Sequence, residues 1–130
     1  MKARIILGLI ALAFIAVSCE TETMITADLT WEDKDYFELN DGWKASIYEG
    51  AINFIDAEDY DLVAIETKAV TVGDDVVVFN VPVSSYHNMT VVIFNDLDGS
   101  GAFNEGENAD IDFTTIEGGV DHTFEMTVDY

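Results

Sequence analysis

The chain has 130 residues, 49% of them apolar, with 26 acidic residues against 5 Lys+Arg and a formal net charge of -21. One domain with one core fits that size, and the apolar fraction argues against disorder. A basic nucleic-acid footprint is absent, and one cysteine beside two histidines excludes an intrachain disulfide, a zinc finger and an iron–sulfur site.

The N-terminus reads as an address. Lys2 and Arg4 form a short positive region, and Ile5 to Val17 then runs apolar. That run is shorter than the roughly 20 residues a bilayer core demands, so it indicates a secretory signal. It ends in Ala16-Val17-Ser18-Cys19, and Cys19 is the chain's single cysteine. This ending resembles the lipobox of bacterial lipoproteins. The resemblance implies a peptide cut before Cys19, a diacylated sulfur and an acylated amine. Two or more acyl chains give stable membrane attachment.

Residues 1–18 are therefore expected to be a lipoprotein signal peptide and 19–25 the lipidated Cys19 and a tether, with a folded domain over 26–130. Glu20-Thr21-Glu22-Thr23 is similar to the surface-export tag of Bacteroidota-type lipoproteins. The expected location is the cell envelope, lipid-anchored to the outer membrane, with both a periplasmic and a surface-exposed orientation open. After Cys19 the chain keeps all its acids but only Lys34, Lys44 and Lys68. Such charge opposes docking on anionic headgroups, which leaves the anchoring to lipid.

The domain shows period-2 alternation in chain order. Ile25 to Trp31, Trp43 to Ile47, Val63 to Ala69 and Phe124 to Tyr130 alternate inward and outward residues. Val76-Val77-Val78-Phe79 and Val91-Val92-Ile93-Phe94 are continuously apolar and predict central strands buried on both faces. Ile111 to Ile116 is a further strand. Asp56 to Asp59 predicts one helical turn or a polar loop. Turn signals fall at Asn40-Asp41-Gly42, Gly73-Asp74-Asp75, Asp98 to Gly101 and Gly118-Gly119. Pro82 is expected just after a strand. The fold class expected is all-β, an antiparallel Greek-key sandwich of about seven strands.

Residues 96–107 fit a calcium loop of the EF-hand type. Oxygen side chains stand at loop positions 1, 3 and 5, which are Asp96, Asp98 and Ser100. Gly101 stands at the sharp turn of position 6, Ala102 offers a carbonyl at 7, and Asn104 stands at 9. Phe103 plugs the loop into the core. Glu107, at position 12, supplies the bidentate carboxylate. Calcium takes six to eight oxygens, so a short loop must fold its own acids around one point. Ser100 replaces the usual acid or amide, which points to a weaker site, and Gly99 adds freedom to the empty loop. EF-hands flank such loops with helices, whereas Met89 to Phe94 predicts a strand.

The stretch from Val76 to Glu107 resembles transthyretin-like (prealbumin-like) modules of secreted bacterial proteins. The residues that carry the likeness are Val81-Pro82, Tyr86, Val91 to Phe94, Asp96, Asp98, Gly101 and Gly106-Glu107. It implies a seven-stranded sandwich with no enzymatic activity of its own.

Other groupings have plainer readings. His87 follows Ser84-Ser85-Tyr86, but no nucleophile elbow surrounds either serine. Asp56, Glu58, Asp59 and Asp61 lack a turn glycine and read as a solvated loop. Trp31, Trp43, Tyr36, Tyr48 and Tyr60 offer either core packing or a sugar-stacking platform. The expected function is a non-catalytic, calcium-binding envelope lipoprotein module for protein interaction or envelope assembly. The alternative is a surface lipoprotein that binds a glycan or other nutrient.

Overall fold

The structure is a computed structural model that describes residues 20–32 and 42–128. The expected signal peptide, Cys19, Lys34, Tyr36, Asn40, Asp41 and the last two residues lie outside that range. Seven strands follow in order: β1 (Glu20–Trp31), β2 (Trp43–Glu49), β3 (Glu66–Ala69), β4 (Val76–Ser84), β5 (Tyr86–Asn95), β6 (Ala109–Glu117) and β7 (His122–Val128). Among the described residues, a 3-10 turn spans Ala57–Asp61. No helix among the described residues is long and apolar enough to cross a membrane.

The strands form two sheets, ordered β4-β1-β7 and β3-β2-β5-β6. This is the expected all-β sandwich. Alternation explains it: Ile25, Ala27 and Leu29 of β1 point inward between Thr26 and Asp28, and Phe124, Met126 and Val128 of β7 do the same. These residues meet Ala45, Ile47, Val91 and Ile93 of the other sheet in one core.

Four expectations need correction. Residues 20–25 are strand, not tether. Glu20 pairs with Ser84, and Thr23 is buried with its hydroxyl accepting the Gly119 N–H at 2.9 Å. The β-branched threonines of this stretch suit a strand that has a partner waiting. Second, β1 and β7 run parallel, with Ile25 opposite His122. Third, β4 is an edge strand buried on one face: Val77 and Phe79 are buried while Val76 is 54% exposed. Pro82 therefore lies inside β4, opposite Glu22, where an edge strand tolerates its missing N–H. Fourth, β3 begins only at Glu66, and Val63 is 89% exposed.

β5, like β2, is an interior strand of its sheet, and from Met89 onward it is buried on both faces. Its Val91 and Ile93 face the inter-sheet core, whereas Val92 and Phe94 face a second core with Tyr48, Ile52, Phe54 and Phe103. That second core lies on the outer face of the four-stranded sheet. β5 carries the chain from the end that holds Glu20 to the opposite end, roughly 30 Å away at about 3.4 Å per residue. The acidic loop begins there.

Candidate metal centre

Residues 96–107 leave β5 and lead into β6. The base is closed by the Asn95 N–H, which donates to the Asn108 carbonyl at 2.9 Å. The Asp96 N–H donates to the Gly42 carbonyl at 3.0 Å, so the first acid has a fixed backbone. Gly99, Gly101 and Gly106 all adopt positive φ. At Gly101, φ is +81°, a conformation that L side chains rarely hold. Phe103 is buried in the outer core, as the sequence predicts, and ties the loop to Phe94, with ring centroids 5.5 Å apart.

The acids converge. Among the described residues, Asp96, Asp98 and Glu107 form the group whose ligand atoms all lie within 4.8 Å of one another, and this triad could hold a metal ion. Asp96 is split between two tasks. Its Oδ2 accepts the Gly101 N–H at 2.9 Å and an ion pair from Lys44 Nζ. Its Oδ1 is buried and has no hydrogen-bond partner. A buried carboxylate oxygen without a partner is costly, and a cation is one remedy.

The remaining candidate ligands face a common point. Asn104 Nδ2 donates to Asp98 Oδ2 at 2.8 Å, to Ser100 Oγ at 2.7 Å and to the Ala102 carbonyl at 3.1 Å. Three oxygens gathered on one partly positive nitrogen mark where a cation would be attracted. Rotation of the Asn104 amide would present its oxygen there instead. Glu107 clamps the loop: Oε1 accepts the Leu97 N–H at 3.1 Å and Oε2 accepts the Asn104 N–H at 2.9 Å. All six residues singled out from the sequence thus belong to one hydrogen-bonded loop.

The electrostatics fit a site that gains from a positive charge. The Ser100 backbone N–H, and then the Ser100 side chain, hold the exposed Asp98 carboxyl at about 2, below the ordinary 3.8. Burial above all, and then the charges of Asp98 and Asp96, push Glu107 above the ordinary 4.5 against the Asn104 N–H. The part of that rise that comes from the acidic neighbours is what a cation would relieve. Burial also raises Tyr48, with the charge of Glu107 as a minor cause.

Lys44 is the functional neighbour that sequence reasoning missed. The available signal was scarcity: it is one of three lysines after Cys19. Cys19 itself lies outside the described residues. The other groupings disperse. His87 Nε2 pairs with Glu49 Oε1 at 2.7 Å, which engages it with a carboxylate across the sheet. Trp43 belongs to the inter-sheet core and Tyr48 to the outer one, so the described members of the aromatic set do not line one platform. Asp56 lies just before the 3-10 turn that carries Glu58, Asp59 and Asp61. Comparison with protein-family models, with curated proteins and with solved structures finds no match to this chain.

Proposed function

We propose that the chain is a non-catalytic, calcium-stabilised module of the bacterial cell envelope, held on the outer membrane by lipid on Cys19. The observation that carries the calcium part is the meeting of Asp96, Asp98 and Glu107 around an unpartnered Asp96 Oδ1. An all-oxygen set from carboxylates, a carbonyl, a hydroxyl and an amide is hard-cation chemistry, with no imidazole or thiolate to favour a transition metal. Calcium suits it better than magnesium, which demands near-ideal octahedral geometry and keeps its water. The envelope part is supported by the lipobox-like Ala16-Val17-Ser18-Cys19.

On this reading the anchor and the loop occupy opposite ends of the sandwich. β1 begins at Glu20, directly after the lipidated residue, so little slack separates domain from bilayer. The ion loop then faces outward, well beyond a Debye length of about 8–10 Å from the headgroups. Its role is to fix the outward end of the sandwich for contact with another envelope protein.

The test is thermal melting in calcium, in magnesium and in chelator. A bound ion stabilises by RT ln(1 + [L]/Kd), about 2.7 kcal/mol at one hundred times Kd. At that saturation the expected rise is roughly 10 °C in calcium, with less in magnesium. Equal shifts from both ions would reduce the effect to screening of a highly acidic chain.

A further inference from the structure

We propose that Lys44 is the internal counter-ion of this loop: its ammonium holds Asp96 in ligating position when no divalent ion is bound, and it lowers the loop's affinity for one. The proposal rests on the calcium reading above. Lys44 lies in β2, opposite Phe94 in the β5 register, and reaches past the end of β5 to Asp96 Oδ2. The Asp96 side chain is fully buried, while that of Lys44 is 27% exposed. The acid is thus sealed in and the lysine is held at the rim. The other described lysine, Lys68, pairs with Glu66 and donates to the Val78 carbonyl, away from the loop.

Without Lys44, three carboxylates would crowd within 4.8 Å with no cation beside them. Like charges this close oppose folding, and a buried acid that loses its partner is strongly destabilising. Lys44 removes part of that repulsion. It does so from one side of the carboxylate. The lysine and the Gly101 N–H share Oδ2, and Oδ1 is left with no partner. Lys44 therefore aligns the first ligand without occupying its free lobe. The same charge repels an arriving divalent ion across a single carboxylate. Loop stability in the absence of ion is gained against ion affinity, and one residue sets both.

The test compares wild type, Lys44→Met and Lys44→Arg by calcium calorimetry at constant ionic strength and by melting in chelator. Lys44→Met keeps the apolar stem and removes the charge. It should melt at lower temperature in chelator yet bind calcium about tenfold more tightly, the order expected for one nearby charge. Lys44→Arg should restore wild-type behaviour in both assays. If Lys44→Met folds only when calcium is added, the counter-ion role is supported in its extreme form. Unchanged or weaker calcium binding in Lys44→Met, with wild type binding normally, would overturn the proposal alone. A purely structural residue would give that result. Absence of calcium binding in wild type would instead overturn the reading on which it rests.

Discussion

Phe103 packs edge-on against Phe54, with ring centroids 5.0 Å apart and both rings buried. Phe54 also meets Tyr48 at 5.4 Å, and Phe103 meets Tyr60 at 5.4 Å. The acidic loop, the segment before β3 and the outer face of the four-stranded sheet therefore share one aromatic core. Phe103→Ala should cost about 3–5 kcal/mol, the usual range for a buried Phe. It should also weaken calcium binding, because Phe103 lies between ligand positions Ala102 and Asn104. Denaturant melts with and without calcium check both effects; an unchanged calcium increment would separate the loop from its core.

Glu107 gives the ion-free protein a pH signature. Its carboxyl titrates above the ordinary 4.5, so the folded state binds the proton more tightly than the unfolded chain. Its contribution is fully present below 4.5 and is lost as pH rises through the elevated value. Asp98 works in the opposite sense, over a lower window. Its carboxyl is depressed to about 2, so its contribution is present above 3.8 and fades as pH falls. In chelator, the melting temperature of Glu107→Gln minus that of wild type should therefore increase as pH rises above 4.5. Saturating calcium should reverse that trend. A difference independent of pH would contradict the assignment of burial and neighbouring acids as the cause.

Two glycines should respond differently to alanine. A Cβ at Gly118 would stand 2.3 Å from the Val83 carbonyl oxygen, so the turn joining β6 to β7 would have to shift. At Gly101 nothing lies within 4 Å, and only the positive φ resists a side chain. Gly101→Ala should cost about 1–2 kcal/mol through backbone strain and should lower calcium affinity. Gly118→Ala should cost more and leave the affinity of the folded fraction unchanged. Paired melting and calcium titration of the two variants checks this.

Much of this was legible in the residues. The half-buried strands announced themselves because each has one wet face, so inward and outward residues alternate in β1 and β7. The acidic loop was legible because its acids, its turn glycine and Phe103 all fall within twelve consecutive residues. What was hidden depended on partners far away in sequence. β4 has the same apolar run as β5, but Val76 and Val78 point away from the core. Only the sheet order distinguishes the edge strand from the central one. The polar residues Glu20 to Thr23 looked like a tether until Ser84 and Gly119 came alongside. Lys44 and Asp96 are 52 positions apart, so their pairing had no local signature.

Lipidation should depend on one thiol. Cys19→Ala should abolish palmitate labelling and move the protein out of the membrane fraction. Because β1 starts at Glu20, a flexible insertion between residues 19 and 20 should preserve membrane association while freeing the domain from the surface. Protease accessibility of the β4–β5 turn in intact vesicles would report that release. Membrane retention of Cys19→Ala with unchanged processing would contradict the anchor.

The most direct test of the metal centre is calcium titration by calorimetry on the domain from Glu20 onward, for wild type and for Glu107→Gln. Extracellular calcium modules bind at about 0.1–1 mM, and Ser100 in place of an acid points to that range. The account predicts one site per chain, with Kd in that range. It also predicts a loss of at least about tenfold when Glu107 gives up its charge, the order of one charge-assisted ligand. No binding heat, or equal affinity in wild type and Glu107→Gln, would contradict it.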